Sequence, residues 1–201
     1  YPLLSQYQKD GYHQALKIAS KWGGVLLCDS VGLGKTYIGL MLLEYFVRQG
    51  KRVLLIVPKS ARESVWERPI NKYLKPRYKR ALKEMVRIHN HTDFGRVEIA
   101  DDGPHHPTRP DLVDDLLYYR EFFDAVIIDE AHHFRTPWAK RSKVLKWLLS
   151  GRRKQLFMLT ATPINNSLLD LYHLINYIAQ DKRAFFSSIG VRDLRRYFRE
   201  A

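Results

Sequence analysis

Apolar and polar positions alternate along the chain in two rhythms. Short runs rich in apolar residues occupy Val25 to Cys28, Val53 to Val57, Val86 to Ile88, Ala125 to Ile128 and Gln155 to Leu159. Runs of this length, bounded by Gly, Pro or charged residues, predict strands buried on both faces. Longer stretches between them carry apolar residues at helical spacing. The first, Leu3 to Ala19, sets Leu4, Tyr7, Gly11, Ala15 and Ile18 roughly in phase. Tyr37 to Phe46, Ala61 to Tyr73, Asp111 to Tyr119, Lys140 to Leu149 and Leu168 to Ile178 predict further helices. Gly50-Lys51 reads as a helix stop, and Ser60 as a helix cap. His89 to Asp111, with Gly103, Pro104, Pro107 and Pro110, reads as an irregular loop. Strands alternating with helices predict an α/β fold: a mostly parallel sheet, helices on both faces and right-handed crossovers.

Composition narrows the class. A chain of 201 residues fits one domain, residues 1–201, with a sizeable core. No apolar run reaches the length of a membrane span, so no membrane association is expected. The chain starts at Tyr1 and shows no signal pattern, as expected of a trimmed chain whose targeting segment would be missing. Cys28 is the single cysteine; a packing role in its strand and a reducing, intracellular setting are expected. Thirty-four Lys and Arg against 21 Asp and Glu leave a net charge of +13, which suggests a polyanionic partner, nucleic acid first.

The chemistry begins at Val25 to Thr36, VLLCDSVGLGKT. A strand, a glycine pair, Lys-Thr and a helix make a phosphate-binding loop. Gly32 and Gly34 let backbone N–H groups turn towards phosphates. Lys35 would reach the β- and γ-phosphates, and the Thr36 hydroxyl would bind Mg²⁺. Asp29 stands where the general pattern has its first glycine. Taken alone, the segment is also readable as an ordinary strand-to-helix turn.

Downstream, the run from Ala125 delivers Asp129 and Glu130 at a strand's C-terminal end. Ligands sit at such ends in open α/β sheets. Asp129 can hold Mg²⁺, and Glu130 can orient and deprotonate an attacking water. Thr160 and Thr162 lie at the tip of the next strand and could hydrogen-bond Glu130. With His132 they are the candidates for coupling. Gln8 could read an adenine edge through its amide. Lys59 and Ser60, at the end of the second strand, could hold a nucleic-acid phosphate. The basic run from Lys72 to Lys83, interleaved with Tyr73 and Tyr78, could track a phosphate backbone or form a solvated face. His89/His91 and His105/His106 lack a matching cysteine set and read as loop residues rather than metal ligands.

Together, DSVGLGKT, VLLIVPKS, VIIDEAHHF and LTATPINNSLLDLYHLINYI resemble motifs I, Ia, II and III of superfamily 2 helicases, and within them the Swi/Snf-type ATPases. The resemblance runs from about Tyr7 to Tyr177. Tyr7-Gln8 and Gly11 match the family's adenine-side motif. The family commonly has Asp at the position of Asp29. Ser30 stands in place of the usual acid and Ala161 in place of Gly, and the usual motif Ib text is missing from His89 to Asp111. The wording DEAHHF is closest to bacterial members. The resemblance implies a RecA-like P-loop NTPase lobe of a motor that moves along double-stranded DNA, with ATP and Mg²⁺ as cofactors. It also implies a second RecA-like lobe downstream that supplies the arginine finger, so that residues 1–201 alone would fold yet turn over little ATP. Protein partners stay unidentified. The setting would be cytoplasmic and nucleoid-associated in a bacterium, nuclear in a eukaryote. An RNA-directed superfamily 2 helicase and a nucleotide-regulated binding module without hydrolysis remain as alternatives. A P-loop kinase is disfavoured by DEAH, TAT and the absence of an acceptor-site lid.

Overall fold

A computed structural model describes residues 4–28 and 34–200. Helix α1 (Gln6–Trp22) leads into strand β1 (Gly24–Cys28), and helix α2 (Lys35–Arg48) follows. Strand β2 (Val53–Val57) then runs into one helical turn, α3 (Lys59–Ala61). Two π-helical segments (Arg62–Glu67 and Ile70–Leu74) connect α3 to α4 (Lys75–Met85). Strand β3 (Val86–Asn90) and the short helix α5 (His91–Phe94) come next, then a hairpin of β4 (Glu98–Ala100) and β5 (Gly103–His105). Helix α6 (Pro110–Phe122), β6 (Ala125–Ile128), α7 (Lys140–Leu149), β7 (Gln155–Thr160), α8 (Leu168–Ala179) and α9 (Leu194–Glu200) complete the order.

Five strands form one parallel sheet in the order β1-β7-β6-β2-β3. Alternation along each strand sends side chains to opposite faces. Leu54, Ile56, Val126, Ile128, Leu156 and Met158 meet α6, α7 and Leu174 of α8 on one face. Val53, Leu55, Val57, Ile127, Phe157 and Leu159 meet α1, α2 and the π-helical run on the other. Both faces are therefore covered, which explains why the strands read as apolar runs rather than as half-polar alternations.

Several local expectations change. Residues 89–111 are not an irregular loop: they contain the end of β3, α5, the β4–β5 hairpin and the start of α6. Asn90 and Asp93 form a capping box that starts α5, a polar signal hidden among prolines and histidines. Pro58, not Ser60, occupies the cap position of α3; Ser60 lies inside the first turn. Cys28 is exposed rather than packed, because it ends β1 at the sheet rim. Tyr78 donates its hydroxyl to Glu44 Oε1 at 3.0 Å, pinning α4 to α2, which gives one aromatic of the basic run a packing role. The aromatic tail also packs: Phe185 and Phe186 lie 5.8 and 5.0 Å, centroid to centroid, from the Trp22 ring.

Candidate nucleotide site

The strand order creates the site. After β1 the chain crosses to β2 at the far side of β7 and β6, so β1, β7 and β6 end side by side at a topological switch point. Cys28 pairs with Thr160, and Ile128 with Met158, which sets the C-terminal ends of the three strands along one rim. Thr160 ends β7, Asp129–Glu130 come directly after β6, and Gly34–Thr36 start α2, the helix after β1.

Gly34 caps α2 with φ +80°, a left-handed conformation that favours glycine. A Cβ there would stand 2.1 Å from Gln8 Nε2. The Gln8 amide therefore rests against the last glycine of the loop. Its oxygen accepts the Ser5 N–H at 3.1 Å in the α1 capping box, so the edge that faces Gly34 is the Nε2 edge. Lys35 opens α2 and is buried; Thr36 beside it is half-buried. Gly32 and Asp29 lie outside the described residues.

Asp129 is 7% exposed, and four of its polar atoms are engaged. Its N–H donates to the Ile56 carbonyl at 2.9 Å, carrying β6 one residue further along β2. Its carbonyl accepts from His91 Nε2 at 2.8 Å. Oδ1 accepts the Glu130 N–H at 3.0 Å, and Oδ2 accepts the Trp66 indole N–H at 2.8 Å. Burial pushes the Asp129 carboxyl above its ordinary range. The Trp66 bond opposes that, the neighbouring Glu130 charge adds to it, and the Lys35 ammonium opposes it. Burial also holds His91 down, to about 4, with His133 beside it contributing. A neutral His91 carries its proton on Nε2, as the bond to the Asp129 carbonyl requires.

Glu130 takes φ 48° and ψ 52°, a left-handed conformation rare for a residue with a side chain. Strain of this kind, of order 1–3 kcal/mol, gathers at functional sites. Glu130 Oε2 lies 3.1 Å from His132 Nδ1, which is also 3.1 Å from Thr160 Oγ1. A carboxylate can only accept, so the proton on Nδ1 is directed at Glu130 and shared with Thr160. Burial, with Arg135 nearby, keeps the His132 pKa below its ordinary value and the ring neutral. Thr160 Oγ1 also accepts the Thr162 N–H at 3.3 Å. The structure thus joins Glu130, His132, Thr160 and the Thr162 backbone in one chain. Thr160 reaches Glu130 through His132, and Thr162 enters it through its N–H.

Lys59 and Ser60 are exposed at the end of β2, on the same rim of the sheet as Asp129. Two contributors escaped the sequence reading. His91 is weighed there as a metal ligand and read as a loop residue, while Trp66 draws no notice at all. A lone Trp six residues after Ser60 was the available signal, yet nothing in the sequence placed it on Asp129.

The donor set fits a nucleoside triphosphate with Mg²⁺. One hydroxyl (Thr36), one carboxylate (Asp129) and one cation (Lys35) suit an octahedral ion that keeps most of its waters and binds chiefly through phosphates. Among the described residues no group of three or more His, Cys, Asp or Glu is arranged to hold a metal by itself.

Known proteins resemble this chain in sequence and in fold. The family model described as type III restriction enzyme, res subunit, matches residues 2–165. An uncharacterized ATP-dependent helicase, YqhH of Bacillus subtilis, is 32% identical over 168 residues, 82% of this chain and 28% of that protein. The human DNA annealing helicase and endonuclease ZRANB3 is 32% identical over 165 residues, 80% of this chain and 14% of that protein. The chain thus spans less than a third of the length of these curated relatives. The Sulfolobus solfataricus SWI2/SNF2 ATPase core, solved in complex with dsDNA, superposes with a TM-score of 0.66 at 22% identity, covering 92% of this chain and 37% of that one. That likeness is one of fold: a parallel sheet with helices on both faces, as expected of a RecA-like lobe. The chain belongs to the family of the type III restriction enzyme res subunit, and its relatives include the Swi/Snf-type ATP-dependent helicases that its motifs resemble.

Proposed function

We propose that this chain is the ATP-binding lobe of an ATP-driven motor of the Swi/Snf type that acts on double-stranded DNA. The observation that carries the proposal is the rim of three adjacent parallel strands: Thr160 ends β7, Asp129 and Glu130 follow β6 directly, and Lys35 and Thr36 open α2, the helix after β1. Lys35 would hold the β- and γ-phosphates. Thr36 and Asp129 would hold Mg²⁺, which when bound neutralises charge on the phosphates. Glu130 would orient the attacking water and take its proton. His132 would steady the Glu130 carboxylate and link it to Thr160, so that a change at Glu130 is felt at the end of β7. Gln8 would sit on the adenine side. Lys59 and Ser60 would contact backbone phosphates, in keeping with the +13 charge.

An arginine brought by a second lobe, worth roughly 10³ to 10⁵ in rate, would complete the transition state. The duplex-DNA reading is favoured by the ZRANB3 and SWI2/SNF2 relatives, whose descriptions name DNA. The experiment is steady-state ATP hydrolysis by the protein carrying both lobes, with duplex DNA or duplex RNA added. Stimulation by DNA is expected. Stimulation by RNA alone would support an RNA-directed helicase instead, and binding without turnover a regulatory module.

A further inference from the structure

Trp66 is fully buried on the first π-helical segment after β2, well away from where a sequence reader looks for catalytic machinery. Its indole N–H is spent on one acceptor, Asp129 Oδ2, at 2.8 Å. The other end of the ring lies on α2 at Gly39. A Cβ there would stand 2.5 Å from Trp66 Cη2 and 3.2 Å from Cζ3. Gly39 is thus the absence of a side chain that leaves the indole room to reach Asp129. Helix α2 opens with Lys35 and Thr36, so one rigid ring spans from the helix of the phosphate loop to the acidic strand end. π-Helical turns often occur at functional sites. Here the wider turn covers residues 62–67, which contain Trp66.

A core tryptophan needs only some acceptor for its N–H. A backbone carbonyl would serve for packing alone. A buried carboxylate is a costly choice, because burial disfavours its charge. The choice is accounted for if the carboxylate is the object being held. Oδ1 is fixed by the Glu130 N–H and Oδ2 by the indole, so the plane of the carboxylate is set from both sides. Each oxygen keeps one further lone pair for an outside ligand.

We propose that Trp66 is a positioning residue that fixes the Asp129 carboxylate for a divalent cation, with Gly39 as the clearance that makes this possible. The proposal rests on the reading of Asp129 as a Mg²⁺ ligand given above. Removing such an outer partner typically weakens metal binding 10- to 100-fold.

The test replaces Trp66 with β-(3-benzothienyl)alanine, which keeps the shape of the ring and lacks the N–H; Trp66→Phe serves as the second variant. Two quantities are measured: ATP affinity in EDTA, and the affinity of the ATP-loaded protein for Mn²⁺ by electron paramagnetic resonance. The expected result is a cation affinity weakened roughly tenfold or more, with metal-free ATP affinity unchanged. In the wild type, the indole N–H resonance of Trp66 should also move when Mg²⁺ is added to the ATP complex. Unchanged Mn²⁺ affinity in the isosteric variant would overturn the positioning role while leaving the nucleotide site intact. Equal loss of metal-free ATP affinity would also overturn it, marking Trp66 as packing only. A wild type that binds no cation with ATP would overturn the nucleotide reading itself, and the Trp66 role with it.

Discussion

Replacing Gly39 with alanine puts the clearance beneath Trp66 to a direct physical test. Gly39 lies inside α2, where Gly→Ala ordinarily stabilises a helix by about 1 kcal/mol. Here the new Cβ would lie 2.5 Å from Trp66 Cη2, whereas ordinary contact begins at 3.4 Å. The ring must retreat by about 0.9 Å, the difference between those two distances. Trp66 is fully buried, so its movement displaces neighbours. Overpacking of this kind costs roughly 1–3 kcal/mol. Disturbing the 2.8 Å bond to Asp129 costs about 1.5–3 kcal/mol more, the usual worth of a hydrogen bond to a charged group. The helical gain offsets about 1 kcal/mol, leaving a net destabilisation of roughly 1.5–5 kcal/mol. In a domain of this size each kcal/mol moves Tm by about 2–4 °C, so calorimetry should find a drop of at least ~3 °C. A Gly39→Ala protein that melts at or above the wild type would refute the reasoning, since the indole would then have room to spare.

Three further outcomes follow from particular groups. Glu130→Gln, in the protein carrying both lobes, should keep ATP binding and lose hydrolysis by about 10² or more, because the amide cannot take the water's proton; normal turnover would remove Glu130 from the role of base. Lys59→Ala should weaken DNA binding alike across sequences and lower the slope of log affinity against log salt by about 1, read by fluorescence anisotropy; an unchanged slope would place the phosphate contact elsewhere. Lys154 is buried among the Arg120 and Arg152 carbonyls, and burial lowers its pKa from 10.5 to about 8. The unfolded chain therefore binds more protons between those values, so stability should rise with pH, by about 1.5 kcal/mol from pH 8 to 9.5. The window ends near pH 10, where Tyr119 and Tyr177, both raised by burial, begin to act in the opposite direction. Urea melts of the wild type should show this rise and those of Lys154→Met should not; parallel curves would contradict it.

The middle of the sheet was legible because β2 and β6 are buried on both faces, so Val53–Val57 and Ala125–Ile128 declare themselves as apolar runs. Lys140–Leu149 matches its expected bounds for a similar reason, between loop residues and a Ser-Gly stop. Residues 89–111 were harder. Their short elements owe their shape to tertiary contacts: His89 reaches the Tyr119 hydroxyl at 2.9 Å, and His91 the Asp129 carbonyl. No local period signals such partners. The chemical groups of the candidate site follow from motif spacing, since Lys35 and Thr36 open the helix after β1, and Asp129 and Glu130 stand at the end of β6, elements that the alternation already places. The hydrogen bonds among them did not. Only the parallel order β1-β7-β6 brings Thr160 beside His132, and only the π-helical run turns Trp66 onto Asp129.

The central claim is that the rim formed by β1, β7 and β6 binds a nucleoside triphosphate through Lys35. Calorimetric titration with ATP and Mg²⁺ tests it most directly, using wild type, Glu130→Gln and Lys35→Ala, each checked for folding by circular dichroism. The account predicts weak binding by the wild type, equal binding by Glu130→Gln, and loss of binding by Lys35→Ala. Equal affinity of a folded Lys35→Ala protein and the wild type would contradict it.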